Sequence, residues 1–191
     1  MVTVIVIAAA VALLAAAAGW VISTYNSLVQ ARNKTDYTWA QVDVILKKRF
    51  DLVPGLVETV RGYAAHEKET LAKVIEARSR ITTAGSVSET ADANNMLTGA
   101  LRSLFAVAEA YPDLKANAGF ISLQEELTNI ENKIAYQRQF YNDSVYAFNT
   151  RIQQFPTVIV ARIFGFGAKD LFNTEQAEER EPVKFSFRDT P

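Results

Sequence analysis

The chain has 191 residues, with 20 Lys and Arg against 21 Asp and Glu, a net charge of -1, one His, no Cys, 8 Gly and 5 Pro. Near-neutral charge excludes a strong field toward nucleic acid. The lack of Cys excludes disulfides, thiolate metal sites, thiol nucleophiles and a lipid-bearing cysteine. A hydrophobic share of 49% with little Gly and Pro excludes disordered and collagen-like chains and leaves one domain of ordinary size.

The first segment is apolar. No Asp, Glu, Lys or Arg precedes Arg32, and Met1 to Ile22 has Thr3 as its one polar side chain. A bilayer crossing takes roughly 20 such residues, so residues 1–22 are expected to be a single-pass membrane anchor. Trp20 and Tyr25 stand at its C-terminal end, where amphipathic rings favour the headgroup level. Ala is the commonest residue in the run, which allows close contact between anchors. A cleaved signal peptide ending at Ala16-Ala17-Ala18 is the competing reading, weakened by the absence of a basic residue before the run.

From residue 24 the apolar spacing is helical. Thr35, Trp39, Val42, Leu46, Phe50 and Val53 form one seam, and Leu56/Val57, Val60, Ala64, Glu67, Leu71, Val74, Arg78 and Ile81 a second. Leu97, Leu101, Leu104, Ala108 and Tyr111 form a third, and a fourth runs from Phe120 through Gln137 and Tyr141 to Phe155. Near-heptad spacing suits long antiparallel packing. Turns fall at Thr82–Ser88, where Ser86 or Ser88 can cap, and at Pro112–Gly119. At Asp51-Leu52-Val53-Pro54, Asp51 can serve as an N-cap with Pro54 in the first turn. The apolar register also runs through Pro54, as it would in one kinked helix. Taking the reversal, the expected fold is all-α: an N-terminal transmembrane helix, then a long antiparallel four-helix bundle over residues 24–165, its helices about 29, 31, 24 and 44 residues long.

Phe155 to Phe172 is apolar nearly all round. It reads as a helix end packed in the bundle, as a subunit contact or as a membrane-surface contact, with Phe155, Val158, Ile159, Ile163, Phe164 and Phe166 as the contact residues. Residues 166–191 are expected to be a C-terminal tail, flexible from Asn173 onward.

The blocks Tyr25-Asn26, Arg49 with Asp51-Leu52 and Pro54, Gly62-Tyr63-Ala64 with His66-Glu67, Tyr111-Pro112-Asp113-Leu114, Glu131-Asn132, Tyr141-Asn142 and Phe155-Pro156 together resemble the LemA family of bacterial membrane proteins. The likeness covers Tyr25 to Phe166 and the apolar run. It implies a helical bundle behind a short anchor, in a family with no established reaction. Many relatives carry a lipobox cysteine just before the Tyr-Asn pair, and their domains are exported; this chain lacks that cysteine. Arg32, Lys34 and Lys47-Lys48-Arg49 follow the run and by the positive-inside rule favour a cytoplasmic domain. The family resemblance outweighs that weak signal, so the bundle is expected outside the bacterial cytoplasmic membrane.

The candidate chemistry is sparse. His66-Glu67 lacks the second His four residues on that a zincin helix needs, since position 70 is Thr. Arg49, Asp51, Pro54 and Glu58 are expected to lock the turn, with Arg49 pairing a carboxylate. Arg138, Tyr141, Asn142, Glu131 and Asn132 put polar groups near a seam, where they set helix register. Lys47-Lys48-Arg49 reads as a solvated face, or as a contact for acidic lipid. No phosphate loop, nucleophile elbow or Ser-His-Asp set appears. No catalytic, cofactor-binding or metal residues are expected, nor a small-molecule or nucleic-acid ligand. The functional expectation is a membrane-anchored, non-enzymatic scaffold or adaptor of the bacterial envelope, self-associating and with possible envelope protein partners. A lipid-sensing or membrane-shaping module is the alternative, and a His66-carboxylate metal-dependent enzyme a third reading.

Overall fold

The structure is a computed structural model that describes residues 1–173. Its elements are α1 (Val2–Tyr63), α2 (Lys68–Thr83), α3 (Val87–Ala108), α4 (Pro112–Lys115), α5 (Ala118–Gln153) and α6 (Thr157–Ile163), and the described residues contain no strand. Within α1 lies the one helical stretch among the described residues long and apolar enough to cross a membrane, and none of that stretch is buried by the protein.

The reversal expected at Asp51–Pro54 does not occur. The first helix runs 62 residues from Val2 to Tyr63 with Pro54 inside it. Two features explain this. The seam passes through the proline unbroken, burying Val53, Leu56, Val57 and Val60, and burial of this kind stabilises by about 1.5–3 kcal/mol per large side chain. Pro54 has no N–H, so the carbonyl of Phe50, four residues earlier, loses its helical donor. Arg78 from α2 replaces it, donating Nε–H to Phe50 O at 3.2 Å, with its guanidinium 3.7 Å from the Phe50 ring centroid. Pro54 is itself exposed, so its ring meets solvent.

The chain turns instead at Ala64–Glu67, where Ala64 O accepts from Glu67 N at 3.1 Å and the Glu67 carboxylate accepts from Tyr111 Oη at 3.0 Å. Periodicity does not mark this break, because Val60, Ala64, Glu67 and Leu71 keep helical spacing across it. Ser86 caps α3, its Oγ accepting from Glu89 N at 3.1 Å, while Glu89 Oε2 accepts from Gly85 N at 2.6 Å. Asn117 caps α5 by accepting from Phe120 N at 2.9 Å. The long final helix expected to reach past Phe155 ends at Gln153, and α6 follows after Gln154–Pro156.

α1 and α5 pair along most of the bundle. Ser27 meets Arg151 at 3.0 Å, Thr38 meets Ser144 at 2.8 Å, and Lys48 pairs with Glu126, so positions rise along α1 as they fall along α5. Three stacked clusters form the core. The one farthest from the apolar run gathers Leu56, Val60, Val74, Leu97, Leu104, Leu114 and Phe120 from five elements. The middle one gathers Val42, Leu46, Ala91, Ile130, Ile134, Val145 and Phe172. The nearest gathers Leu28, Phe148, Ile152, Val160 and Ala161. The α2–α3 pair covers the far half, and α6 with the segment after it covers the near half.

Residues 166–172 are therefore part of the fold, contrary to the expectation of a tail beginning at 166. The segment returns along α5, held by two asparagines seven residues apart on one helix face. Asn149 Nδ2 donates to Lys169 O, and Lys169 N donates to Asn149 Oδ1, both at 2.9 Å. Asn142 does the same for Phe172, at 3.1 and 2.9 Å. Phe172 is fully buried, against Trp39 at 5.8 Å between centroids. The expectation of flexibility beyond Asn173 lies outside the described residues.

Candidate functional site

Two places concentrate polar chemistry or unspent apolar surface. The first is a buried arginine halfway along the bundle. Arg49 is 3% exposed although Lys47 and Lys48 beside it face solvent, so the basic run is not one solvated face. Nη1 donates to Asn94 Oδ1 at 2.7 Å, and Nη2 lies 2.8 Å from Glu131 Oε2 in an ion pair. That pair falls outside hydrogen-bond angles, and Arg49 Nε has no hydrogen-bond partner. Burial lowers the guanidinium pKa from its ordinary value, and the Glu131 carboxylate partly offsets the effect. Arginine stays charged regardless. A 250 Å³ cleft opens beside it, lined by Arg102, Phe105, Leu127, Thr128 and Asn132 among others. The arrangement ties α1, α3 and α5 at one level and fixes their register.

The expected turn cluster does not assemble. Asp51, Pro54 and Glu58 are all exposed, and the carboxylate partner of Arg49 is Glu131 on α5. Pro54 and Glu58 border a shallow depression with Arg61 and Arg78 on the other side of α1. Asn94 is the member of the site that sequence reasoning missed, an Asn between Ala93 and Asn95 having no local signal. Tyr141 and Asn142, expected to set register, hold the C-terminal segment instead. Tyr141 Oη donates to Asp170 O at 2.8 Å, and burial, with smaller contributions from Asp170 and Asp36, pushes its pKa up to about 12. Asn149 was missed in the sequence, where Phe172 figured only as the end of the apolar stretch.

The second place is the collar next to the apolar run. α6 buries Val160 and Ala161 against Leu28, Phe148 and Ile152. Phe166 is half-buried between Tyr25, 5.7 Å away, and Phe148, 6.5 Å away, with the Arg32 guanidinium 5.4 Å from its ring centroid. Phe164 lies 4.8 Å from Tyr25. The predicted contact set thus divides. Phe155 (82%), Ile159 (48%), Ile163 (71%) and Phe164 (50%) are exposed, while Val158 and Phe166 are half-buried. Trp20 and Tyr25 are exposed at 40% and 37%. The exposed side chains of this segment are therefore not packed in the bundle, which leaves the subunit-contact and membrane-surface readings for them.

His66 is exposed in the Ala64–Glu67 turn, and Glu67 is engaged with Tyr111. Among the described residues no group of three or more His, Asp or Glu side chains gathers where it could hold a metal ion.

The sequence profile described as the LemA family matches residues 38–187. Protein LemA of Metamycoplasma hominis is 29% identical over 164 residues, covering 83% of this chain and 71% of the relative. Magnetosome protein MamQ 2 of Paramagnetospirillum magneticum is 23% identical over 179 residues, covering 80% of this chain and 66% of the relative. Magnetosome protein MamQ of Magnetospirillum gryphiswaldense is 22% identical over the same length. The motif blocks, the helical architecture behind an apolar first segment and a profile match over most of the chain agree: this chain belongs to the LemA family.

Proposed function

We propose that this chain is a membrane-anchored, non-enzymatic scaffold or adaptor of the bacterial envelope. It crosses the cytoplasmic membrane once through residues 1–22 and carries its bundle on the outer side. The observation that carries the reading is the single helix α1, which joins the apolar run to the far tip without a hinge. At 1.5 Å per residue, Ile22 to Tyr63 extends about 60 Å. A catalytic domain needs no such post; a protein that presents a surface at a fixed height above a membrane does. Its four longer helices, α1, α2, α3 and α5, act as one bundle of alternating direction. The MamQ relatives are named magnetosome proteins, which supports a membrane-associated role.

Self-association is part of the reading. The Ala-rich apolar run permits close packing of anchors. A groove of 530 Å³ between α1 and α5, lined by Ala31, Thr38, Phe140, Ala147 and others, is open on the side away from the C-terminal segment. Light scattering of the full-length protein extracted in a mild detergent tests it. A discrete oligomer is expected. A monomer at every concentration would leave a single tethered adaptor and sink the self-associating part.

A further inference from the structure

We propose that α6 and its flanking residues form an interfacial foot, set into the headgroup layer of the same bilayer that residues 1–22 cross. The inference deepens the anchored reading above and rests on it.

Height along α1 is the first argument. α6 shares a core cluster with Val21, Leu28 and Ala31 of α1, at the end of the apolar run and just beyond it. Phe164 touches Tyr25, three residues past Ile22, which is about 4.5 Å along the axis. Arg151 of α5 meets Ser27, so Phe155 lies about one turn nearer the N terminus, level with the end of the run.

The exposed side chains are the second. Ile159 and Ile163 lie four residues apart on one face of α6, and Phe155 stands exposed just before the helix. With Phe164 they leave four large apolar side chains uncovered beside Trp20 and Tyr25. On a helix wholly in water this face would be an aggregation liability. At the acyl–headgroup boundary it is the apolar half of an in-plane amphipathic element.

Charge is the third. Residues 20–35 carry Arg32 and Lys34 and no acid, and residues 151–168 carry Arg151 and Arg162 and no acid. The acids come only farther from the run: Asp36, which pairs with Lys169 at 2.9 Å, then Asp143 and Asp170. The collar is therefore cationic against an anionic lipid surface, a contribution of about 1 kcal/mol per basic residue near the membrane. A second copy of this chain would bring the same four cations to the contact and repel.

The absence of native Cys makes the test direct. Single-cysteine variants Phe155→Cys, Ile163→Cys, Phe164→Cys, Ala10→Cys and Tyr146→Cys of the full chain are spin-labelled. Each is placed at one copy per nanodisc in lipid containing phosphatidylglycerol. Paramagnetic accessibility to oxygen and to a water-soluble nickel chelate is then read. Ala10 in the anchor should favour oxygen strongly, and Tyr146, 72% exposed on α5, should favour the chelate. The foot labels should favour oxygen several-fold over Tyr146. If they match Tyr146 while Ala10 favours oxygen, the foot is overturned and the anchor stands. If Ala10 favours the chelate, both fall. Shielding of the foot labels only at two copies per disc would make the face a subunit contact and overturn the proposal. Phe155 and Ile163 are the most exposed of the foot positions, so their variants keep the test valid if Phe164→Cys misfolds.

Discussion

Arg78 carries the cost of a proline inside α1, and this can be measured. Replacing Arg78 with Ala removes a charged donor from Phe50 O and a cation over the Phe50 ring. The hydrogen bond is worth about 1.5 kcal/mol, the low end for a charged donor because the site is half-buried. The ring contact adds about 1 kcal/mol. Arg78→Ala should therefore destabilise by about 2.5 kcal/mol, or about 5–10 °C in a chain of this size. Pro54→Ala restores an N–H to the Phe50 carbonyl and should stabilise, since Pro inside a helix is about 3 kcal/mol worse than Ala. In that background Arg78 is no longer the carbonyl's sole donor, so Arg78→Ala should cost only about 1 kcal/mol. The coupling energy, about 1.5 kcal/mol, is the diagnostic quantity. Denaturant unfolding of the four full-length proteins in one detergent, followed by far-UV circular dichroism, gives the cycle. Equal costs of Arg78→Ala in both backgrounds would refute the substitution of a side-chain donor for the missing backbone one.

Glu131→Gln removes the counter-charge of a buried guanidinium while leaving its bond to Asn94. Because Glu131 is 42% exposed, the expected loss is about 2 kcal/mol, between the values for surface and buried pairs. Glu126→Gln, at the exposed pair with Lys48, should cost far less than Glu131→Gln and lose its effect in high salt; equal losses for the two would remove the distinction. Tyr141 holds its proton in the folded state to about 12, against an ordinary value of 10.0. Its contribution to stability is thus complete below pH 10 and is lost as pH climbs toward 12. Alkaline unfolding should fall less steeply in Tyr141→Phe than in the parent, at a cost near neutrality of about 1 kcal/mol for the lost bond to Asp170 O. Identical alkaline slopes would count against a perturbed tyrosine. Asn142→Ala with Asn149→Ala deletes four hydrogen bonds to residues 169 and 172. Hydrogen exchange at 166–173 should rise by orders of magnitude while α1 keeps its protection; parallel loss in both would mean that the segment unfolds only with the whole bundle.

The seams were legible because burial follows period. Val42, Leu46, Val53, Leu97, Leu104, Ile130, Ile134, Val145 and Phe148 all fall inside, as spacing alone required. The position of the first reversal was not legible. Local rules favour a stop before Pro54, but the compensating donor is Arg78, 24 positions later and visible only as a charge intruding on a seam. The true break at Ala64–Glu67 disturbs no register and leaves no pattern. Arg49 stood out only as a member of a turn that does not form, and its partners Asn94 and Glu131 lie 45 and 82 positions away, beyond any local signal. The apolar content of Phe155–Phe172 was plain. Its division into an exposed face, a buried face and a return segment depends on Gly165, whose φ of 69° lets the chain reverse after α6.

One continuous helix through membrane and bundle also has a mechanical meaning. With its apolar end held by lipid, as proposed, α1 is a lever about 60 Å long whose fulcrum sits at the headgroups. Transmembrane helices adjust their tilt to bilayer thickness, and a change of about 10° would swing the far tip through about 10 Å. No flexible joint lies between to absorb it, because Pro54 is braced by Arg78. The α2–α3 end would then report the thickness of the surrounding membrane as a displacement, large enough to bring a neighbour's surface into or out of reach.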